Sequence, residues 1–155
     1  VSTEEKEAAK EFNNKLVLYS GQIVDGIDEL TLSFQNYIRL TNEGNLDSLD
    51  IVKMNSEIED LKMKIDIVSD SIKAMEEFDN EIKFKDSQLE YLTGCKLLLS
   101  TEYPKLQNLM QKEVSEENRK ECAEIVLAII RNYGELQKKS FAVQKEFVDK
   151  YQINK

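Results

Sequence analysis

The sequence predicts an all-α fold: a single up-down-up-down four-helix bundle with long antiparallel helices, spanning residues 1–155 as one domain. Two observations lead there. The chain of 155 residues holds five Gly and one Pro, too few breakers for an all-β or α/β fold and few enough for long uninterrupted helices. Apolar residues also return every three or four positions in four separate stretches. The most regular of these is Ile51, Met54, Ile58, Leu61, Ile65, Val68, Ile72 and Met75, a heptad seam. With 41% hydrophobic residues the chain can bury a core at this length without metals or disulfides.

The first helix is expected from about Thr3 to about Leu40. Glu4, Glu5 and Glu7 suit the positive end of its dipole, and Phe12, Leu16, Tyr19, Ile23, Ile27, Leu30, Phe34 and Tyr37 form its stripe. Gly21 and Gly26 lie inside it, each costing about 1 kcal/mol relative to Ala; they mark close packing or a bend. "TNEGNLDS", Thr41–Ser48, reads as a loop, with Gly44 for a positive φ and Asp47 or Ser48 as the next cap.

The second helix carries the seam and is expected to reach about Glu77. "FDNE", Phe78–Glu81, follows as a turn, Asn80 taking the left-handed conformation and Asp79 capping. A third helix starts between Glu81 and Asp86 and turns Leu89, Leu92, Cys95, Leu99, Tyr103, Leu106 and Met110 inward. Pro104 lacks an amide hydrogen and clashes with the preceding turn, so a kink or a split is expected near Tyr103. Lys112–Asn118 makes the last connection. Ser115 caps a fourth helix bearing Cys122, Val126, Ile129, Tyr133, Leu136, Val143 and Phe147, ending near Tyr151. Glu11/Lys15, Asp60/Lys64, Glu81/Lys85, Glu135/Lys139 and Glu146/Lys150 place an acid four residues before a base, the favourable order within a helix.

Each helix carries its own stripe and so has partners within the chain. The Ile51–Met75 seam is therefore expected to be internal, and the chain a monomer rather than a dimer. Val17, Leu18, Val24, Leu32, Ile38, Met63 and Ile67 lie off the seams. They widen the core, and any left exposed would form a partner or dimer face.

The net charge is -9, with eight Lys/Arg against eighteen Asp/Glu in residues 1–80. No basic footprint suits nucleic acid, and an anionic membrane surface is disfavoured for the same reason. The longest apolar run, "IVLAII" at Ile125–Ile130, is far short of the ~18 residues of a membrane span. Direct membrane insertion is not expected, and a lipid anchor would have to lie outside this chain. The acidic half suits a solvated surface or a basic partner.

The chain has no His, which removes the commonest general base, His-activated nucleophiles and the carboxylate-plus-His di-iron sites of bundles. Most carboxylates fall opposite the stripes; Asp28 and Glu102 come nearest and are expected at helix edges. No EF-hand loop, phosphate loop or zinc-ligand spacing is present. No catalytic, cofactor-binding or metal residue is therefore assigned. In an antiparallel hairpin Cys95 and Cys122 are offset by roughly 16 Å along the axis at 1.5 Å per residue, beyond the ~7 Å reach of a disulfide. They read as two buried thiols.

One segment carries a resemblance. "KAMEEFDNEIKFKDSQLEYLTGCKLLLSTEYPKLQNL", Lys73–Leu109, has a helix-ending Lys73, the turn pair Phe78-Asp79, then Phe84, Lys85-Asp86 and Glu102-Tyr103 after a leucine run. This resembles a pattern in uncharacterised small helical surface proteins and lipoproteins of Gram-negative bacteria, which often have Gly where this chain has Asn80. The resemblance covers about a quarter of the chain. It implies an exported helical bundle tethered to or released at the envelope, and no activity. The opening "VSTEEKEAAKEF" suits the polar start of a mature exported protein. The expected function is thus that of a non-enzymatic exported or envelope-associated bundle acting by protein–protein interaction, with the partner unidentified. The alternative is a cytosolic acidic adaptor or inhibitor, of the immunity type, that masks a basic surface through residues 1–80.

Overall fold

Four apolar stripes become four buried helix faces. The computed structural model describes residues 1–43, 51–113 and 115–153. Its helices are α1 (Thr3–Glu43), α2 (Ile51–Lys73), α3 (Phe84–Met110) and α4 (Glu116–Tyr151). Consecutive helices are neighbours, α4 closes onto α1, and α1 also meets α3 across the diagonal. This is the expected four-helix bundle. The 41 residues of α1 run about 60 Å and the 23 of α2 about 35 Å at 1.5 Å per residue.

From Met54 onward the heptad seam of α2 lies inside the chain: Met54, Ile58, Leu61, Ile65, Val68 and Ile72 are all buried, and Met75 packs against them at the edge, while the side chain of Ile51 lies outside the described residues. Gly26 lets α1 approach α2 closely, because a Cβ there would sit 2.7 Å from Leu61 Cδ1. Gly94 does the same for α3 and α4, with Leu136 Cδ2 at 2.5 Å from the position of its missing Cβ.

The α2–α3 connection differs from expectation in two ways. First, α2 ends at Lys73, not Glu77. Glu77 instead turns to α3, accepting from the Lys85 and Asp86 amides at 3.0 and 3.1 Å, while Lys85 Nζ donates back to the carbonyls of Lys73 and Met75. Each helix end thus satisfies the other's orphan groups. Second, the left-handed residue is Lys83, φ 56°, and not Asn80. Residues 79–83 form one closed turn, Lys83 N donating to Asp79 O at 2.8 Å. The positive φ falls where that turn ends, the position usually given to Gly. Asp79 caps as expected, accepting from the amides of Glu81 and Ile82.

Pro104 does not split α3, which runs as one helix from Phe84 to Met110. Tyr103, Leu106, Leu109 and Met110 are buried around and beyond it, so packing holds the helix together through the missing amide bond. Ser115 caps α4, its side chain accepting from Asn118 N at 3.0 Å. The expected loop Thr41–Ser48 is shortened by α1, which continues to Glu43, and Gly44, Asp47 and Ser48 lie outside the described residues. Three of the expected intrahelical bases serve other elements. Lys139 pairs with Glu90 of α3 at 3.2 Å, Lys150 reaches Asp79 at 2.6 Å, and Lys85 caps α2.

Candidate functional site

Polar residues occupy the middle of the bundle at positions in phase with the apolar stripes. Gln88 of α3 is buried and bridges two other helices. Its Oε1 accepts from Ser20 Oγ of α1 at 2.5 Å, and its Nε2 donates to Ser140 Oγ of α4 at 2.7 Å. One turn along α3, the Tyr91 and Tyr133 hydroxyls meet at 2.9 Å, and Gln137 Nε2 donates to Tyr133 at 3.2 Å. Towards the other side, Gln144 Nε2 donates to Asn13 Oδ1 at 3.2 Å. Small Ser side chains at the α1/α4 seam make room for these bonds.

The consequence is a cleft of about 90 Å³ between α1 and α4, floored by Ser20, Gln88 and Tyr91 and walled by Val17, Gly21 and Phe141. A cavity of about 150 Å³ holds a benzene, so this one admits a single side chain and no cofactor. Apolar residues stand around it. Val17, Gly21 and Val24 follow one edge of α1, continued by Leu32, while Leu127, Ile130, Gly134 and Phe141 follow the facing edge of α4. Phe141 is 58% exposed and Leu127 65%. A Cβ on Gly21 or Gly134 would meet nothing within 4 Å. The flank is open at Gly21 and Gly134 where the α1/α2 and α3/α4 seams are tight at Gly26 and Gly94.

Of the residues set off the seams in the sequence, Val24 and Ile38 join the margin of the core, whereas Val17, Leu18, Leu32, Met63 and Ile67 are exposed. The charges along the flank differ by helix. The α1 edge carries exposed Asp25 and Asp28, and the α4 edge exposed Arg131 and Lys138. Partial burial and the neighbouring Asp25 raise the Asp28 pKa, and among the described residues no cation pairs with it within 4.0 Å.

The other chemically suggestive groups are two carboxylates, two thiols and a buried phenol. Asp28 stands on α1 and Glu102 pairs with Lys105 along α3. Among the described residues no three His, Cys, Asp or Glu side chains form a metal-holding group. Cys95 and Cys122 are free and buried, as their offset predicted. Burial pushes the Cys95 thiol up to about 12, against a weaker opposing bond from Tyr91, and burial also raises Cys122. Neither is a thiolate near neutral pH. The Tyr103 hydroxyl is enclosed without a well-aligned hydrogen bond; the Thr31 hydroxyl beside it is committed to Ile27 O at 2.8 Å.

At the α2–α3 end, Phe12, Phe78, Phe84, Phe147 and Tyr151 pack ring on ring, Phe78 and Phe147 at 5.7 Å and Phe147 and Tyr151 at 4.8 Å between centroids. Asp79 lies beneath them, bonded to Lys150, to Tyr151 Oη at 2.8 Å and to two backbone amides. Burial alone would raise its pKa, yet these donors together hold it well below the usual carboxylate range. Phe78 and Phe84 close this end of the bundle. Gln88 was missed, although Ser20, Gln88 and Ser140 each interrupt a stripe in phase, which is the available signal. Comparison with protein-family models, with curated proteins and with solved structures gives no match.

Proposed function

We propose that this protein works without catalysis, by binding another protein through the α1/α4 flank, as an exported or envelope-associated helical bundle. The observation that carries the binding reading is the row of exposed apolar side chains beside the cleft: Val17, Leu32, Leu127 and Phe141. Exposed apolar residues are ordinary singly, but a row flanking a cleft is a feature of interaction surfaces. The unreactive thiols and dispersed carboxylates support a role in binding. Placement at the envelope rests on the resemblance of Lys73–Leu109. No helix among the described residues is long and apolar enough to cross a membrane.

A second reading, a cytosolic acidic adaptor or inhibitor of a basic protein, draws support from the outer face of α2. There Met63 and Ile67 are exposed among Asp60, Asp66 and Asp70. One experiment separates the two. A photo-reactive residue is placed at position 127, 141, 63 or 67 of the full chain in the cells that make it, and the adducts are identified by mass spectrometry after fractionation. Adducts from 127 and 141 in the envelope or secreted fraction support the first reading. Cytosolic adducts from 63 and 67 support the second, and yields equal at all four sites would sink both.

A further inference from the structure

The occupant of the flank is suggested by its charges. The contact of Phe12 with Phe147 and the Gln144–Asn13 bond fix the antiparallel register of α1 and α4. By that register Arg131 stands about level with Asp28, Phe141 with Val17, and Leu127 with Leu32. Within one chain the acidic and basic edges lie side by side, and neither Asp25 nor Asp28 pairs with Arg131 or Lys138 within 4.0 Å.

A twofold axis parallel to the helices lays α4 of a second copy over α1 of the first, and the reverse. Every residue then faces the opposite edge at its own height. A twofold axis across the helices would instead set α1 on α1 and α4 on α4, acid on acid and base on base. Like charges facing each other exclude a partner geometry as firmly as opposite charges select one.

We propose that the α1/α4 flank is a self-association face, two copies pairing about a twofold axis parallel to the helices. Phe141 of each copy lies over Val17 and the open space at Gly21 of the other, covering the mouth of the cleft. Arg131 of each faces Asp25 and Asp28 of the other, and Leu127 meets Leu32. This is an isologous contact, closed at two copies. It rests on the reading of the flank as a binding surface and names its occupant.

The apolar row from Val17 to Leu32 is about 22 Å long at 1.5 Å per residue, and two packed helices present a face roughly 20 Å wide. That is smaller than the ~800 Å² per partner of a standard stable interface. The pairing is therefore weak and reversible, and its population depends on protein concentration.

The test is molar mass by sedimentation equilibrium on the full chain, from about 1 μM to about 1 mM, a span that brackets weak association. The wild type is expected to rise from 18.0 kDa toward twice that mass. Phe141→Glu, at an exposed site, is expected to remain at 18.0 kDa with unchanged helical circular dichroism. Asp28→Arg and Arg131→Asp are each expected to remain monomeric alone, because both crosswise pairs become like-charged. Mixed in equal amounts they regain association, because the heterodimer restores opposite charges at both pairs. A wild-type mass flat at 18.0 kDa overturns the pairing. So does a dimer indifferent to Phe141→Glu and to mixing, since it uses another face. A flat mass together with adducts from position 141 to a different protein would defeat the pairing and leave the binding reading standing.

Discussion

The end of the bundle at the α2–α3 turn and the middle of the α1/α4 flank are built by the same long helices and hold opposite kinds of surface. At the end, five aromatic rings touch, and Asp79 is bonded to Lys150, Tyr151 and two amides. Glu77 and Lys85 exchange bonds across the turn. On the flank, two glycines face open space and Phe141 lies exposed beside a cleft. At the α2–α3 turn the chain commits its rings and charges to specific partners, and on the flank it leaves apolar side chains exposed.

The largest expected effect tests that contrast directly. Phe147 is fully buried among four other rings, so Phe147→Ala should cost about 3–5 kcal/mol by transfer and cavity terms together. Phe141→Ala, on the exposed flank, should stay within about 0.5 kcal/mol. Urea unfolding of the two variants side by side measures both, and comparable losses would erase the distinction between end and flank.

Next in size is Asp79→Ala, expected to cost about 2–3 kcal/mol because it removes a charged acceptor from several donors. The same group sets a pH dependence. Its folded pKa lies below the unfolded value, so between the two the unfolded chain binds a proton that the native chain does not. Stability from this carboxylate is complete above the ordinary Asp value of about 3.9 and declines as pH falls below it. Urea midpoints at neutral pH and in acid should converge in the variant relative to the wild type; parallel curves would show that Asp79 is not the group responsible.

A gain of about 1 kcal/mol is expected for Lys83→Gly, since glycine adopts the observed φ of 56° without the left-handed penalty. An unchanged melting temperature would mean that the turn relaxes around lysine at little cost. The smallest effect is a paired one. Gly134→Ala enters open space and should gain roughly 0.5–1 kcal/mol of helix propensity. Gly94→Ala meets Leu136 and should gain less or lose, because that side chain must move. Equal gains at both sites would mean that the α3/α4 seam is no tighter than the flank.

What the sequence revealed follows the range of the forces involved. The inward residues of α1 and α2 were legible because periodicity reports burial directly: Leu16, Ile23, Ile58 and Ile65 all repeat in phase and are all buried. Ser115 was legible because a cap acts within three residues. The end of α2 was not, because Glu77 leaves its helix for amides eight and nine residues ahead. Lys83 was missed for a related reason: the left-handed position is set by where the Asp79 turn closes, not by which residue tolerates it best. Lys139 and Lys150 had acids at favourable helical spacing and took partners on other elements. Of the flank, the sequence showed surplus apolar residues on α1; that α4 completes the row with Leu127 and Phe141 required the packing.

The aromatic end also bears on how the chain is made. Phe12 is made first, Phe78 and Phe84 come well after it, and the rings that cover them, Phe147 and Tyr151, come with the last turns of α4. Contacts between segments so far apart in sequence form late and slowly. From the time Phe84 is made until the last turns of α4 follow, a growing chain therefore carries an uncovered aromatic surface, the kind of surface that draws chaperones or neighbouring nascent chains. Emergence of α4's final turns is the event that ends that exposure.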